Sequence, residues 1–126
     1  MKFGKKGKTI SVDRAKLLSL KPKPSSNVKW EVYDTGEVAI IIERKYRGRL
    51  GEILATIFMQ PKTRKIVLDE IGSYVWKMFN GKTSIREIIT KISEKFKMSK
   101  REAEVSLIAF LSDLEKRGAI TVAGMD

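Results

Sequence analysis

The side chains able to do chemistry in this sequence are carboxylates, lysines and hydroxyls, because its 126 residues include neither cysteine nor histidine. The absence of thiols rules out disulfides and thiol catalysis, and the absence of imidazole removes the commonest general base. The carboxylates of Asp69, Glu70, Glu87 and Glu102 occur where helices are expected to begin, which is a structural use of negative charge. No phosphate-loop, dinucleotide, zinc-protease or nucleophile-elbow motif is present. The sequence therefore predicts a protein that is not an enzyme and that holds no cofactor and no metal.

Two apolar side chains, rather than polar ones, give the first indication of a binding site. On the last predicted helix, Val105 and Ile108 lie outside the core-facing arc and share a neighbouring arc with Arg101 and Ser112. They are either surface aliphatics of no consequence or one wall of a groove. If the short strand Lys65–Leu68 lies at a sheet edge, its unpaired backbone groups could bind an extended peptide as an added strand.

The elements that must position these residues are three strands followed by three helices. Alternation over Val28–Val32, a β-branched run over Val38–Ile42 and a turn containing Gly36 predict a hairpin. Lys65–Leu68 is the predicted third strand, with the side chains of Ile66 and Leu68 on one face. The resulting fold class is α+β, close to a winged helix.

The helices are predicted from their caps. The first is expected to run from Asp69 to Asn80, with Trp76 at the margin of its apolar stripe. Capping boxes at Ser84–Glu87 and Ser99–Glu102 are expected to open the second and third helices. Gly118 is expected to end the third helix, and the chain then returns as a short edge segment.

Positive charge is concentrated outside the predicted helices. The net charge of +11 comprises +7 from residues 1–26, −3 from 27–43, +6 from 44–65 and only +1 from 66–126. A domain that grips nucleic acid usually carries its lysines and arginines on the element that enters the groove. A winged-helix nucleic-acid-binding protein is therefore the alternative hypothesis rather than the leading one.

The charge pattern also suggests the domain organisation. Residues 1–26 are predicted to be a basic flexible tail, and 27–126 a single domain with a basic amphipathic insertion at 44–64. The insertion carries an apolar stripe at helical spacing, formed by Leu50, Ile53, Leu54, Ile57 and Phe58. This stripe is expected to pack on the sheet or, alternatively, to dock on a membrane surface or on another protein. No apolar run reaches the ~20 residues that a membrane span requires, and no signal peptide is recognisable, so a cytoplasmic protein is expected.

An ordered series of motifs over about residues 27–122 resembles the PqqD family of peptide-recognition proteins. The motifs are Leu68-Asp69-Glu70-Ile71-Gly72, Trp76, Asn80-Gly81, Ile85 with Glu87-Ile88, and Phe110-Leu111-x-x-Leu114-x-x-Arg117-Gly118-x-Ile120. The resemblance implies a non-catalytic peptide chaperone. It would hold the leader of a ribosomally made precursor peptide and deliver it to a modifying enzyme, frequently a radical S-adenosylmethionine protein.

The resemblance also implies where the leader lies, namely as an added strand between the third strand and the third helix. The matching peptide-binding positions here are Lys65, Ile66, Val67, Leu68, Arg101, Val105, Ile108 and Ser112. The sequence departs from the family in the long segment 44–64, in the tail 1–26, and in Ser106, which replaces an acidic residue common in the family. The edge strand could equally pair with a second copy of the chain, which leaves a homodimer open.

Overall fold

The computed structural model describes residues 14–43 and 63–123 of the chain. A short helical segment at 14–19 is followed, in chain order, by β1 (Lys21–Pro24), β2 (Val28–Val32), β3 (Val38–Glu43), β4 (Thr63–Val67), α1 (Glu70–Trp76), α2 (Ile85–Phe96), α3 (Lys100–Lys116) and β5 (Ile120–Ala123). This confirms the α+β class, while the likeness to a winged helix stays a prediction. The apolar stripe predicted for the insertion at 44–64 lies outside the described residues.

The predicted hairpin and third strand form one antiparallel sheet in the order β2-β3-β4. Gly36 in the hairpin turn has a φ of 94°, a conformation that L side chains rarely adopt. The register aligns Trp30 with Ile40 and Ile40 with Ile66, so one face of all three strands points toward the helices. The predicted hairpin and the predicted third strand are thus confirmed, although β4 begins earlier than expected, at Thr63.

A second, two-stranded sheet joins the early chain to its last strand. β1 pairs antiparallel with β5, with Lys21 opposite Ala123. Leu18 and Leu20, just before β1, are each only 7% exposed and belong to the core cluster. The described part of residues 1–26 is therefore folded onto the domain, which differs from the flexible tail expected there.

Helix α1 is shorter than the sequence suggested. It begins at the expected cap, where the Asp69 side chain accepts a hydrogen bond from the Gly72 N–H at 2.7 Å, but it ends at Trp76 and not at Asn80. Trp76 is 2% exposed, so its predicted place at the helix margin is wrong. Its ring meets the buried Phe79 edge-on at 5.7 Å. Ending the helix early lets both rings enter the core, a tertiary effect that local periodicity does not contain.

Helices α2 and α3 begin as predicted. The Ser84 hydroxyl accepts from the Glu87 N–H at 3.2 Å and the Ser99 hydroxyl from the Glu102 N–H at 3.0 Å, and both capping boxes are complete. Gly118, with a φ of 71°, follows the end of α3. Among the described residues, no helix is long and apolar enough to cross a membrane.

Candidate functional site

Strand β4 forms one edge of the three-stranded sheet. The Leu68 N–H donates to the Val38 carbonyl at 2.8 Å, which fixes the alternation of hydrogen bonds along the pair. In an antiparallel ladder every second residue bonds to the same neighbour, so Ile66 faces β3 through its backbone. The N–H and C=O groups of Lys65 and Val67 then point away from β3. Within residues 14–43 and 63–123, no strand pairs with this outer edge of β4.

The side chains of β4 alternate between the two faces of the sheet. Ile66 is half-buried against the core, whereas Val67 on the other face is 52% exposed. On that outer face the Lys65 ammonium lies 3.5 Å from a Glu31 carboxylate oxygen. A hydrogen bond to the Tyr33 phenol raises the pKa of Lys65 above its usual 10.5, and the negative charge of Glu31 adds to the rise. β4 thus presents a cation and an apolar side chain beside its outer backbone groups.

The start of α1 fixes the carboxyl end of β4. Ser73, which is 3% exposed, accepts a hydrogen bond from the Val38 N–H at 2.8 Å and donates one to the Leu68 carbonyl at 3.2 Å. One hydroxyl therefore satisfies a buried donor on β3 and an acceptor after β4. The Asp69 cap directs the chain into the helix immediately after Leu68. This arrangement holds the edge strand in a defined orientation for a ligand.

A crevice opens between the start of α1 and the middle of α3. Its volume is about 190 Å³, and it is lined by Asp69, Ile71, Gly72, Val75, Ile92, Ser106, Leu107 and Phe110. Gly72 leaves room at its floor because it has no side chain, and Phe110 forms one wall, stacked on Phe79 with ring centroids 6.2 Å apart. The crevice is predominantly apolar and suits an aliphatic or aromatic side chain.

The four α3 residues predicted as a binding wall, Arg101, Val105, Ile108 and Ser112, are here called the outer stripe. Val105 is 59% exposed, and Arg101 and Ser112 are also exposed. Ile108 is half-buried and packs against the core cluster. Val105 and Arg101 also line an open depression at the start of α3. The outer stripe is thus an accessible surface whose apolar part is mainly Val105.

The outer stripe and the crevice occupy different sides of α3. At about 100° per residue, Ser106 and Phe110 lie roughly 150° around the helix from the centre of the outer stripe. Asp69, which follows β4, lines the crevice with Ser106 and Phe110, and Ser106 also lines the open depression that contains Arg101 and Val105. In the sequence, Ser106 stood out only as a departure from the family pattern. A glycine inside the predicted first helix, Gly72, was the available signal of a close approach there.

A second depression, about 550 Å³ in volume, lies between the hairpin turn and the helices α1 and α2. Its two lysines are engaged. Lys77 donates to the Gly36 carbonyl at 3.0 Å, and the Lys95 ammonium lies 5.3 Å from the centre of the Tyr74 ring. Among the described residues, no three acidic side chains are grouped as metal ligands would be. The β4 edge with the adjoining crevice is therefore the candidate site.

Comparison with known proteins adds one match. A family model described as "Coenzyme PQQ synthesis protein D (PqqD)" matches residues 55–120, just over half of the chain. The matched range includes β4, all three helices and the crevice between them. No curated protein and no solved structure matches the chain.

Proposed function

The chain belongs to the PqqD family, whose members are peptide-binding chaperone domains, and from that premise we propose that it captures the leader of a ribosomally made precursor peptide. The leader binds as a strand added to the outer edge of β4. The module performs no chemistry itself and presents the bound peptide to a modifying enzyme in the cytoplasm. From the family resemblance, a radical S-adenosylmethionine enzyme is the expected partner.

The observation that carries this proposal is the direction of the backbone groups on β4. The N–H and C=O groups of Lys65 and Val67 point away from β3, at the spacing that an added strand requires. The hydrogen bonds of Ser73 to both neighbouring strands hold this edge in place before a ligand arrives. A site that is already ordered loses less entropy when the peptide binds.

Side-chain selection is assigned to α3. The sequence and the family resemblance predict the outer stripe as the second wall, with Val105 as its most exposed apolar residue. The crevice offers a different wall on the same helix, formed by Ser106 and Phe110 beside Gly72. Either wall lies on a helix whose capping box fixes where it begins. Both would select an apolar side chain of the leader.

The test is a titration of the isotope-labelled full chain with a synthetic peptide that copies the leader encoded beside its gene. Added-strand binding predicts that the amide signals of Lys65 and Val67 shift most, because their N–H groups acquire new acceptors. A scrambled peptide of the same composition is the control. If no candidate leader shifts the signals of β4 or α3, the proposal is wrong.

A substitution in β4 isolates the backbone contribution. Val67→Pro removes an outward N–H while leaving the ladder to β3 intact, since proline is tolerated where the missing donor faces outward at an edge. We expect it to weaken leader binding at least about tenfold, the effect of roughly one hydrogen bond together with steric exclusion of the added strand. Val67→Thr, which keeps the N–H and the β-branched shape, is the matched control and should bind as the unmodified chain does.

A further inference from the structure

The opposite edge of the sheet, strand β2, carries a feature that peptide binding at β4 does not use. Tyr33 N–H donates to the Glu37 carbonyl at 2.8 Å, so the odd-numbered residues of β2 bond to β3. The backbone groups of Trp30 and Val32 therefore point outward. Their side chains are 48% and 53% exposed, unusually open for large apolar groups on the core-facing side of a sheet. No strand in the described part of the chain pairs with this edge.

The charges that flank Trp30 make this edge self-complementary. Lys29 precedes Trp30 and Glu31 follows it, and both side chains are exposed on the outer face of the sheet, where Glu31 also lies 3.5 Å from the Lys65 ammonium of its own chain. If a second β2 pairs antiparallel about a twofold axis at Trp30, the Lys29 of each copy lies opposite the Glu31 of the other. We propose that a second copy of this chain docks here, edge to edge, through the two β2 strands.

Charge also selects this register over its neighbours. Because the outward backbone groups belong to even-numbered residues, the register can change only in steps that keep even residues opposite even residues. Shifting by one such step in either direction sets Lys29 opposite Lys29, or Glu31 opposite Glu31, and like charges directly opposite are unfavourable. Only the register centred on Trp30 joins opposite charges at both positions.

The paired strands use the backbone and the side chains of the edge together. The two Trp30 residues exchange both of their backbone hydrogen bonds, and the N–H of Val32 reaches the Val28 carbonyl of the other copy. The Val28 N–H is already bonded to the Ser25 carbonyl at 3.2 Å, so the ladder ends there. The dimer covers the exposed faces of Trp30 and Val32 and leaves each β4 at an outer end of a continuous sheet.

Sedimentation velocity of the full chain over a concentration series tests the proposal. A single two-strand contact belongs to the small class of interfaces, below about 1,200 Å², so a dissociation constant of the order of 100 µM is expected. The measurement is made at about 0.15 M salt, where a Debye length of about 8 Å screens the net charge of the two copies. A chain that stays monomeric throughout the series overturns the proposal.

Two charge reversals provide the decisive comparison. Lys29→Glu and Glu31→Lys each set like charges opposite one another at both positions, which should weaken the dimer about tenfold. An equimolar mixture of the two variants restores opposite charges and should regain the sedimentation of the unmodified chain. Lys91→Glu and Glu94→Lys, exposed on α2, make the same changes in net charge and should dimerise normally. If each single variant dimerises as well as the unmodified chain, or the mixture recovers nothing, the register is wrong.

Tryptophan fluorescence gives an independent readout, because Trp30 lies at this edge and the other tryptophan, Trp76, is already buried. Trp30 contacts Trp76 edge-on at a centroid distance of 5.6 Å, and no other tryptophan is present. Dimerisation buries Trp30, so the emission should shift to shorter wavelength with rising concentration in the unmodified chain and not in Lys29→Glu. A spectrum that does not change with concentration contradicts the proposal. None of these outcomes depends on whether β4 binds a leader.

Discussion

Gly72 on α1 and Phe110 on α3 approach so closely that a Cβ on Gly72 would lie 3.4 Å from Cζ of the phenylalanine ring. The same Cβ would be 3.0 Å from the Asp69 carboxylate oxygen that caps the helix. The glycine therefore leaves room for the Asp69 cap, and a side chain at residue 72 would already touch Phe110. Gly72 does not have a positive φ, so its small size, and not an unusual backbone conformation, is what this position requires.

Gly72→Ala is expected to lower the free energy of unfolding by about 1 kcal/mol. Alanine gains roughly 1 kcal/mol of helix propensity, but its methyl group would lie 3.0 Å from the Asp69 oxygen and disturb the cap, which costs about 2 kcal/mol. Urea denaturation measures the difference. A stabilised variant would mean that the Asp69 cap moves aside at little cost.

Ser73→Ala should cost about 1–3 kcal/mol, because it leaves the buried Val38 N–H and the Leu68 carbonyl without the hydroxyl that joins them. Hydrogen exchange at Val38 should quicken in the same variant. Thr90→Ala is the matched control, since that hydroxyl bonds only to the carbonyl one turn earlier on the exposed side of α2. Equal effects of the two substitutions would remove the special role given to Ser73.

The pKa of Lys65 should fall toward 10.5 in Tyr33→Phe, because the phenol hydrogen bond is the largest cause of its rise. Glu31→Gln should produce a smaller fall. A raised pKa in the folded state stabilises the fold below the unfolded value of 10.5, and this contribution is lost as the pH rises through the folded pKa. NMR titration of the lysine side-chain signals measures both variants, and an unchanged Lys65 in Tyr33→Phe would contradict the assignment.

Val105→Asp is expected to weaken leader binding about tenfold without a change in thermal unfolding, since the side chain is 59% exposed. Ile108→Asp is the less informative variant, because Ile108 packs against the core and its replacement should also lower stability. Titration with the leader peptide measures the first, and calorimetry the second. If Val105→Asp binds normally while the β4 amides still shift, the crevice side of α3 is the second wall instead.

Local chemistry explains which features could be predicted from sequence. The two capping boxes and the glycine of the hairpin turn each depend on residues within one turn of chain, and all three occur as expected. The end of α1 depends on Trp76 meeting Phe79 and Trp30, and contacts across the fold leave no local periodicity. The β1–β5 pairing was missed for a similar reason. Pro22 and Pro24 argue against a strand except at an edge, and their partners lie almost a full chain length away.

That β1–β5 pairing also determines how the domain would respond to mechanical force. Lys21 and Ala123 stand opposite one another at one end of this ribbon, and Leu18 and Leu20, just before β1, are anchored in the core. Tension applied from the N-terminal side would therefore act first on these two leucines, and the hydrogen bonds of the ribbon would carry load only after the leucines had left the core. Once loaded, the ribbon would be pulled perpendicular to its strands, so its hydrogen bonds would break one at a time.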